Sequence, residues 1–259
     1  MTSILDHLFD LIRLEDLISW GWLGCIGLLL AGWGSCAGIL VVTSYLHKHK
    51  WSVAYTRKIL HLALFLVAMM VLLLGGRPAL FLWGTGASVV LVAILLNPKR
   101  GPAFWSFVRV NDTPYEILHT VVPYLATVIG GVITVTCFGE HASVAGLLVA
   151  GLGDAVGEPV GTALGRHRYR VWSLTAQPVT RSWEGSAAVL LVSWIVIGVF
   201  LLASGVPNAW IWAFGIAVAS AVAEGISPHG TDNALLQVIP SSIVAELVHA
   251  YPMVTLQVL

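Results

Sequence analysis

Charge is what this chain has least of. Only 10% of its 259 residues are Asp, Glu, Lys or Arg, against about 25% in soluble domains, while 58% are hydrophobic. That balance excludes an ordinary water-soluble domain and places the chain in a bilayer. Formal net charge is zero, so no bulk electrostatic attraction to nucleic acid exists. Cysteine is sparse too. Cys25, Cys36 and Cys137 lie scattered in apolar stretches without CxxC spacing, which gives neither a disulfide framework nor a zinc site. Several signatures are missing: GxxxxGK[ST] for a soluble phosphate loop, HRD and DFG for a protein kinase, HExxH for zinc and GxSxG for a serine hydrolase.

What the chain does have is long apolar runs. Segments 20–46, 59–75, 79–96, 118–138, 142–156, 187–204 and 210–222 are candidate spans, and a weaker eighth begins near Leu235 and contains Pro240, Glu246 and His249. The expected fold is therefore all-α, a polytopic helical membrane protein with about seven to eight transmembrane helices. Residues 1–19 read differently. They place Leu5, Leu8, Phe9, Leu11 and Ile12 among Asp6, Asp10, Glu15 and Asp16, a pattern for an amphipathic helix on the membrane surface and not for a signal peptide. Residues 20–259 then form one transmembrane domain, without a visible internal repeat. Eleven of the 13 positive residues fall in the loops after the first, third and fifth spans, leaving Arg13 and Arg77 elsewhere. Positive loops stay in the cytoplasm, so the N-terminus is expected outside.

An ionised side chain at mid-bilayer costs roughly 2.5–3.5 kcal/mol, so polar groups near the spans need a reason. Four stretches carry them. In "TRKILHL", Arg57 and His61 share a helix face beside Lys58. In "GLGDAVGEPVGTALGRHRYR", Gly153, Gly157, Gly161 and Gly165 recur every fourth residue, with Asp154 and Glu158 along one edge and Arg166, His167, Arg168 and Arg170 following. Such a smooth stripe suits another helix or a close phosphate, and the acids suit Mg²⁺ with nucleotide phosphates. "RSWEGS" sets Arg181, Ser182 and Glu184 before an apolar run; a capped helix start reads equally well. Last, "AEGISPHGTDNALLQVIP" puts Glu224 at the end of one span and Asp232-Asn233 at the start of the next, where Asp232 also suits an N-cap.

Taken in order, these four stretches resemble the membrane family of CTP-dependent lipid kinases, which includes dolichol kinase, phytol kinase and bacterial relatives. The matching elements are Arg57-Lys58 with His61, the GD stretch with spaced glycines, the RSWEGS box, and Glu224 with Asp232-Asn233 and downstream Pro240. The resemblance spans residues 57–240. Glu158-Pro159 stands where many relatives are small and apolar, so no role carries over to Glu158. The central loop "VRVNDTPYEIL", with Asn111, Tyr115 and Glu116, departs from the family pattern.

The resemblance implies phosphoryl transfer from CTP to an isoprenoid alcohol such as phytol, farnesol or a polyprenol, at the cytoplasmic face of a bacterial inner membrane or plastid-type membrane. It implies Mg²⁺ on Asp154 with Asp232 or Glu224. Phosphates would fall to Arg57, Lys58, Gly153, Gly157, Gly161, Arg166, Arg168, Arg181, Ser182 and Asn233. Glu184 or His61 would orient or deprotonate the alcohol. Phosphatidate cytidylyltransferase-like synthesis of a CDP-lipid is the alternative enzyme, and an ion-coupled transporter using Asp154, Glu158 and Glu224 is the alternative of another class.

Overall fold

A computed structural model describes residues 14–109, 112–228 and 230–251. Nearly all of them are helical: α1 (Leu14–Lys48), α2 (Val53–Leu96), a single turn α3 (Pro102–Trp105), α4 (Leu118–Ile133), α5 (Gly139–Leu148), α6 (Asp154–Ala163), α7 (Trp183–Ala203), α8 (Ala209–Ile226) and α9 (Asp232–Ala250). π-helical turns over Thr134–Phe138 and Val149–Gly153 join α4 to α5 and α5 to α6. Of the amphipathic segment expected over 1–19, residues 1–13 lie outside the described residues, and α1 begins at Leu14.

The all-α expectation needs one correction. Strands β1 (Arg168–Val171) and β2 (Val179–Ser182) form an antiparallel hairpin, with Arg168 opposite Ser182 and Val171 opposite Val179. Each strand is four residues long, and its apolar residues are too few to show a period of two.

Among the described residues, five continuous helical segments are long and apolar enough to cross a membrane, where seven to eight separate spans are expected from the sequence. Two of the five are 44 and 46 residues long, Val53–Leu96 and Leu118–Ala163. Neither is straight. Leu60 and Val90 of α2 share one packed cluster with Cys36 and Leu40 of α1, although a straight helix would hold them about 45 Å apart. The chain turns back at Gly76, whose φ of 67° suits glycine. Glu140 closes the turn by accepting the Arg77 amide at 2.7 Å. Similarly, Gly131 and Gly146 both face Gln237, with Gly139 at φ 81° between them. The large side chains Leu23, Leu30, Leu73, Leu74, Leu96, Leu202 and Ile211 are exposed, which acyl chains tolerate and water does not. The molecule is an integral membrane protein.

Where α1 crosses the return arm of α2, Gly32 and Gly86 bring the two backbones together. A Cβ added at Gly86 would stand 2.0 Å from the Leu29 carbonyl oxygen, and one at Gly32 would stand 2.0 Å from that of Trp83. Backbone cannot yield as a side-chain tip does. Gly86→Ala is therefore expected to push α1 away and destabilise the protein by about 1–3 kcal/mol. Thermal unfolding in detergent, compared with a Gly84→Ala control whose Cβ meets nothing within 4 Å, checks this.

Candidate active site

The polar stretches meet at one end of the bundle. Residue 154 opens α6 directly after the π-helical turn Val149–Gly153, and such turns leave carbonyls outside the regular ladder. One of them, the Ala150 carbonyl, lies 2.7 Å from His61 Nε2. Lys58, a turn earlier on α2, donates to Asp154 Oδ2 at 2.5 Å, and His61 Nε2 stands 3.4 Å from the same oxygen. Asp154 is 4% exposed, so this contact with Lys58 is what offsets burying its charge.

Two more acids converge on it. Glu224 ends α8 and Asp232 opens α9; each is 5% exposed. Arg181, from β2, bridges both. One terminal nitrogen contacts Glu224, while Nη2 donates to Asp232 Oδ2 at 2.9 Å and to the Ser227 carbonyl at 3.0 Å. Ser186 also donates to Glu224, at 3.2 Å, and Tyr169 OH lies 2.8 Å from the Ser186 hydroxyl. Asp154, Glu224 and Asp232 thus offer three carboxylate oxygens within 4.8 Å of one another. They come from residues 78 positions apart, and the donors are hard oxygens of the kind Mg²⁺ takes.

Glu158, one turn along α6, holds Arg57 at 2.5 Å and also contacts Arg109. No role was carried over to it from the resemblance; here it fixes two guanidinium groups beside the carboxylates. Asn233 also lines the cavity described below and donates to the Pro123 carbonyl and Thr127 hydroxyl of α4 at 3.2 and 2.9 Å.

The glycine stripe faces α7. Added Cβ atoms at Gly153, Gly157 and Gly161 would meet Ser193 Oγ, Val189 Cγ2 and Ser182 Oγ at 2.4, 2.8 and 2.8 Å. The close approach there is that of a packed helix. Ser182 caps α7, accepting the Gly185 amide at 3.1 Å. Glu184 reaches back to His167, taking its backbone amide and lying 2.8 Å from ring Nδ1. Neither Glu184 nor Arg166 lines the cavity described next; Arg168 does.

That cavity has a volume of about 1400 Å³. Its inner part holds Lys58, Asp154, Arg181, Glu224 and Asp232. Its outer part is apolar, walled by Leu64, Phe65 and Ala68 on one arm of α2, by Phe81 and Leu91 on the other, and by Val128 and Val132 on α4. The central loop and the β-hairpin roof the polar end. There Asp112 and His119 stand 3.6 Å apart, and His119 Nε2 lies 3.3 Å from Thr175 Oγ1. Nothing in the seven-residue spacing of this pair marks it in the sequence. In the same loop Arg100 donates to Glu116 at 2.6 Å, which holds the carboxyl below its ordinary range.

A charged cluster at one end of a cavity that is otherwise apolar, inside a helical bundle, defines a membrane protein with a polar and an apolar part to one cavity. Similarity to a known protein narrows this. The chain is 30% identical over 181 residues to the phytol kinase of Synechocystis sp., an alignment covering 69% of this chain and 72% of that protein. The chain belongs to the phytol kinase family. No family model matches it, and no solved structure does.

Proposed function

We propose that this protein is a membrane kinase that transfers the γ-phosphoryl group of CTP to the hydroxyl of an isoprenoid alcohol. The supporting observation is the juxtaposition of three buried carboxylates, five cations and an apolar cavity in one site. Phosphoryl transfer needs positioning and charge neutralisation more than covalent help from the protein. Asp154, Glu224 and Asp232 would hold Mg²⁺, which when bound neutralises charge on the phosphate oxygens. Arg57, Lys58, Arg109, Arg168 and Arg181 line the same cavity as cationic partners for phosphate.

The alcohol enters from the membrane. On the return arm of α2 the lining runs from Pro78 to Leu95, eighteen residues, or about 27 Å of helix. An extended isoprene unit adds about 5 Å, from four C–C bonds. The apolar wall is therefore long enough for a chain of about four to five units, which includes phytyl. His61 and Asp154 orient the hydroxyl where the apolar wall meets the charges. The new O–P bond forms as the bond to the β,γ-bridging oxygen breaks; CDP leaves with that electron pair, and the hydroxyl proton is lost to solvent. Glu184, tied to His167 outside the cavity, serves the hairpin in this reading.

We also place the charged end at the cytoplasmic face, in keeping with the positive-inside rule. The folded-back segments at Gly76 and Gly139 each supply two crossings, which with α1, α7 and α8 makes seven, and α9 supplies an eighth. A phosphatidate cytidylyltransferase and a transporter are not favoured by the phytol kinase relative.

One assay tests the reading. Purified protein with Mg²⁺ is given γ-labelled CTP, ATP, GTP or UTP and phytol, farnesol, a polyprenol or diacylglycerol. Label from γ-CTP in a phytyl or farnesyl phosphate is expected. Lipid labelled from α-CTP alone, with phosphatidate as acceptor, would replace the kinase with a cytidylyltransferase.

A further inference from the structure

The roofed end of the cavity has no part in the chemistry above, yet its residues are unlike the rest of the lining. We infer that it is the nucleoside subsite, and that Asp112, with His119 and Gln177, reads the base edge and favours a base carrying an exocyclic amino group. The inference rests on the kinase reading for its geometry. In phosphoryl transfer the attacking and leaving oxygens lie roughly in line across the phosphorus. The apolar wall commits the attacking alcohol to the membrane side of the carboxylates. The departing nucleoside diphosphate is then on the opposite side, under the roof.

The residues there suit a nucleoside. His119 stands one helical turn before Pro123, whose carbonyl holds Asn233 beside Asp232, so the roof adjoins the carboxylates. Arg109 approaches from the same loop and reaches Glu158. The roof is built: Gln177 of the hairpin connection donates to the Thr113 carbonyl at 2.7 Å, and His119 meets Thr175. His119 is 8% exposed and stacks near Tyr115, with ring centroids 6.0 Å apart. Asp112, Thr175 and Gln177 place hydrogen-bonding groups around it, which suit a polar, planar ligand. The carboxylate of Asp112 accepts hydrogen bonds and donates none. It therefore pairs with the amino group of cytosine or adenine and repels the carbonyl oxygen that uracil has in its place.

Equilibrium binding of CTP and UTP to the purified full-length protein with Mg²⁺, without lipid, tests this. The wild type is expected to prefer CTP by on the order of tenfold or more, the worth of one charge-assisted hydrogen bond. Asp112→Asn is expected to bring the ratio close to one, because the amide can also donate to uracil. In turnover assays the same change should raise KM for CTP and leave KM for the alcohol unmoved. Gln177→Ala, from the opposite wall, should weaken nucleotide binding without moving the alcohol KM. Its readout stands if Asp112→Asn fails to fold. An unchanged CTP-to-UTP ratio, or a shift in alcohol KM alone, overturns the subsite while leaving the kinase intact. A ratio that collapses as expected in a protein that phosphorylates no alcohol keeps the subsite and overturns the acceptor reading. Wild-type protein that binds neither nucleotide overturns both.

Discussion

Asp154→Asn is expected to lower phosphoryl transfer by about 10³-fold, the scale seen when a preorganised charge is removed from a reacting centre. Two effects of the same change have to be separated. The first is electrostatic: the carboxylate trio loses the member that Lys58 and His61 both address, at 2.5 and 3.4 Å. The second is structural. Lys58 is left as a buried cation without its partner, and breaking a buried pair costs about 3–5 kcal/mol. Lys58→Met alone strands the aspartate instead and should be destabilising for the same reason. Combined, the two changes remove both charges, so the double variant should melt closer to wild type than either single variant. Turnover should stay lost in every variant lacking the aspartate, since no regained stability restores a ligand for Mg²⁺. Melting temperatures in detergent and initial rates at saturating Mg²⁺ supply the two readouts. A correctly folded Asp154→Asn protein working within about tenfold of wild type would remove this residue from the site.

The sequence exposes the acids better than it exposes their partners. Asp154, Glu224 and Asp232 stand out because ionised groups beside apolar runs are expensive, and that argument needs no structure. Which cation answers which acid is another matter. Lys58 and Asp154 are 96 residues apart, and Arg181 reaches Glu224 and Asp232 across 43 and 51 residues of connecting chain. Residue order holds no trace of those pairings. The glycines show a different limit. A four-residue spacing gives the same smooth stripe whether a phosphate or a helix lies on it; Ser193, Val189 and Ser182 pack against it, while Gly157 and Gly161 also line the cavity. Glu184 shows a third. Its position in the RSWEGS box pointed to substrate, but its partner is His167, which sits in an Arg-rich run where a phosphate role seemed as natural. Helix length misleads as well, since a glycine that folds a 44-residue helix back on itself looks in sequence like any other small residue in an apolar stretch.

Arg181→Met should be the most damaging single change in the cluster, and Arg181→Lys shows why. Among the described residues Arg181 is the one cation shared by Glu224 and Asp232, and its guanidinium also donates to the Ser227 carbonyl. Methionine fills similar space but leaves two buried carboxylates facing each other, which should cost at least the 3–5 kcal/mol of one broken pair. The hairpin is pinned to the bundle through this side chain, so the loss should appear as early cleavage between β1 and β2 in limited proteolysis. Lysine restores a positive charge but not the planar fork, and a single ammonium cannot answer both acids with fixed geometry. Stability should therefore return in part, with turnover still down by about 10²-fold or more. Mg²⁺ provides a readout independent of turnover. With Arg181 removed, Glu224 and Asp232 are free to take the cation, and a ligand that binds the folded state raises the melting temperature. The Mg²⁺-induced rise should be larger for Arg181→Met than for wild type, and absent when Asp232→Asn is added. If the added ion stabilises both proteins equally, the three carboxylates do not form one cation site.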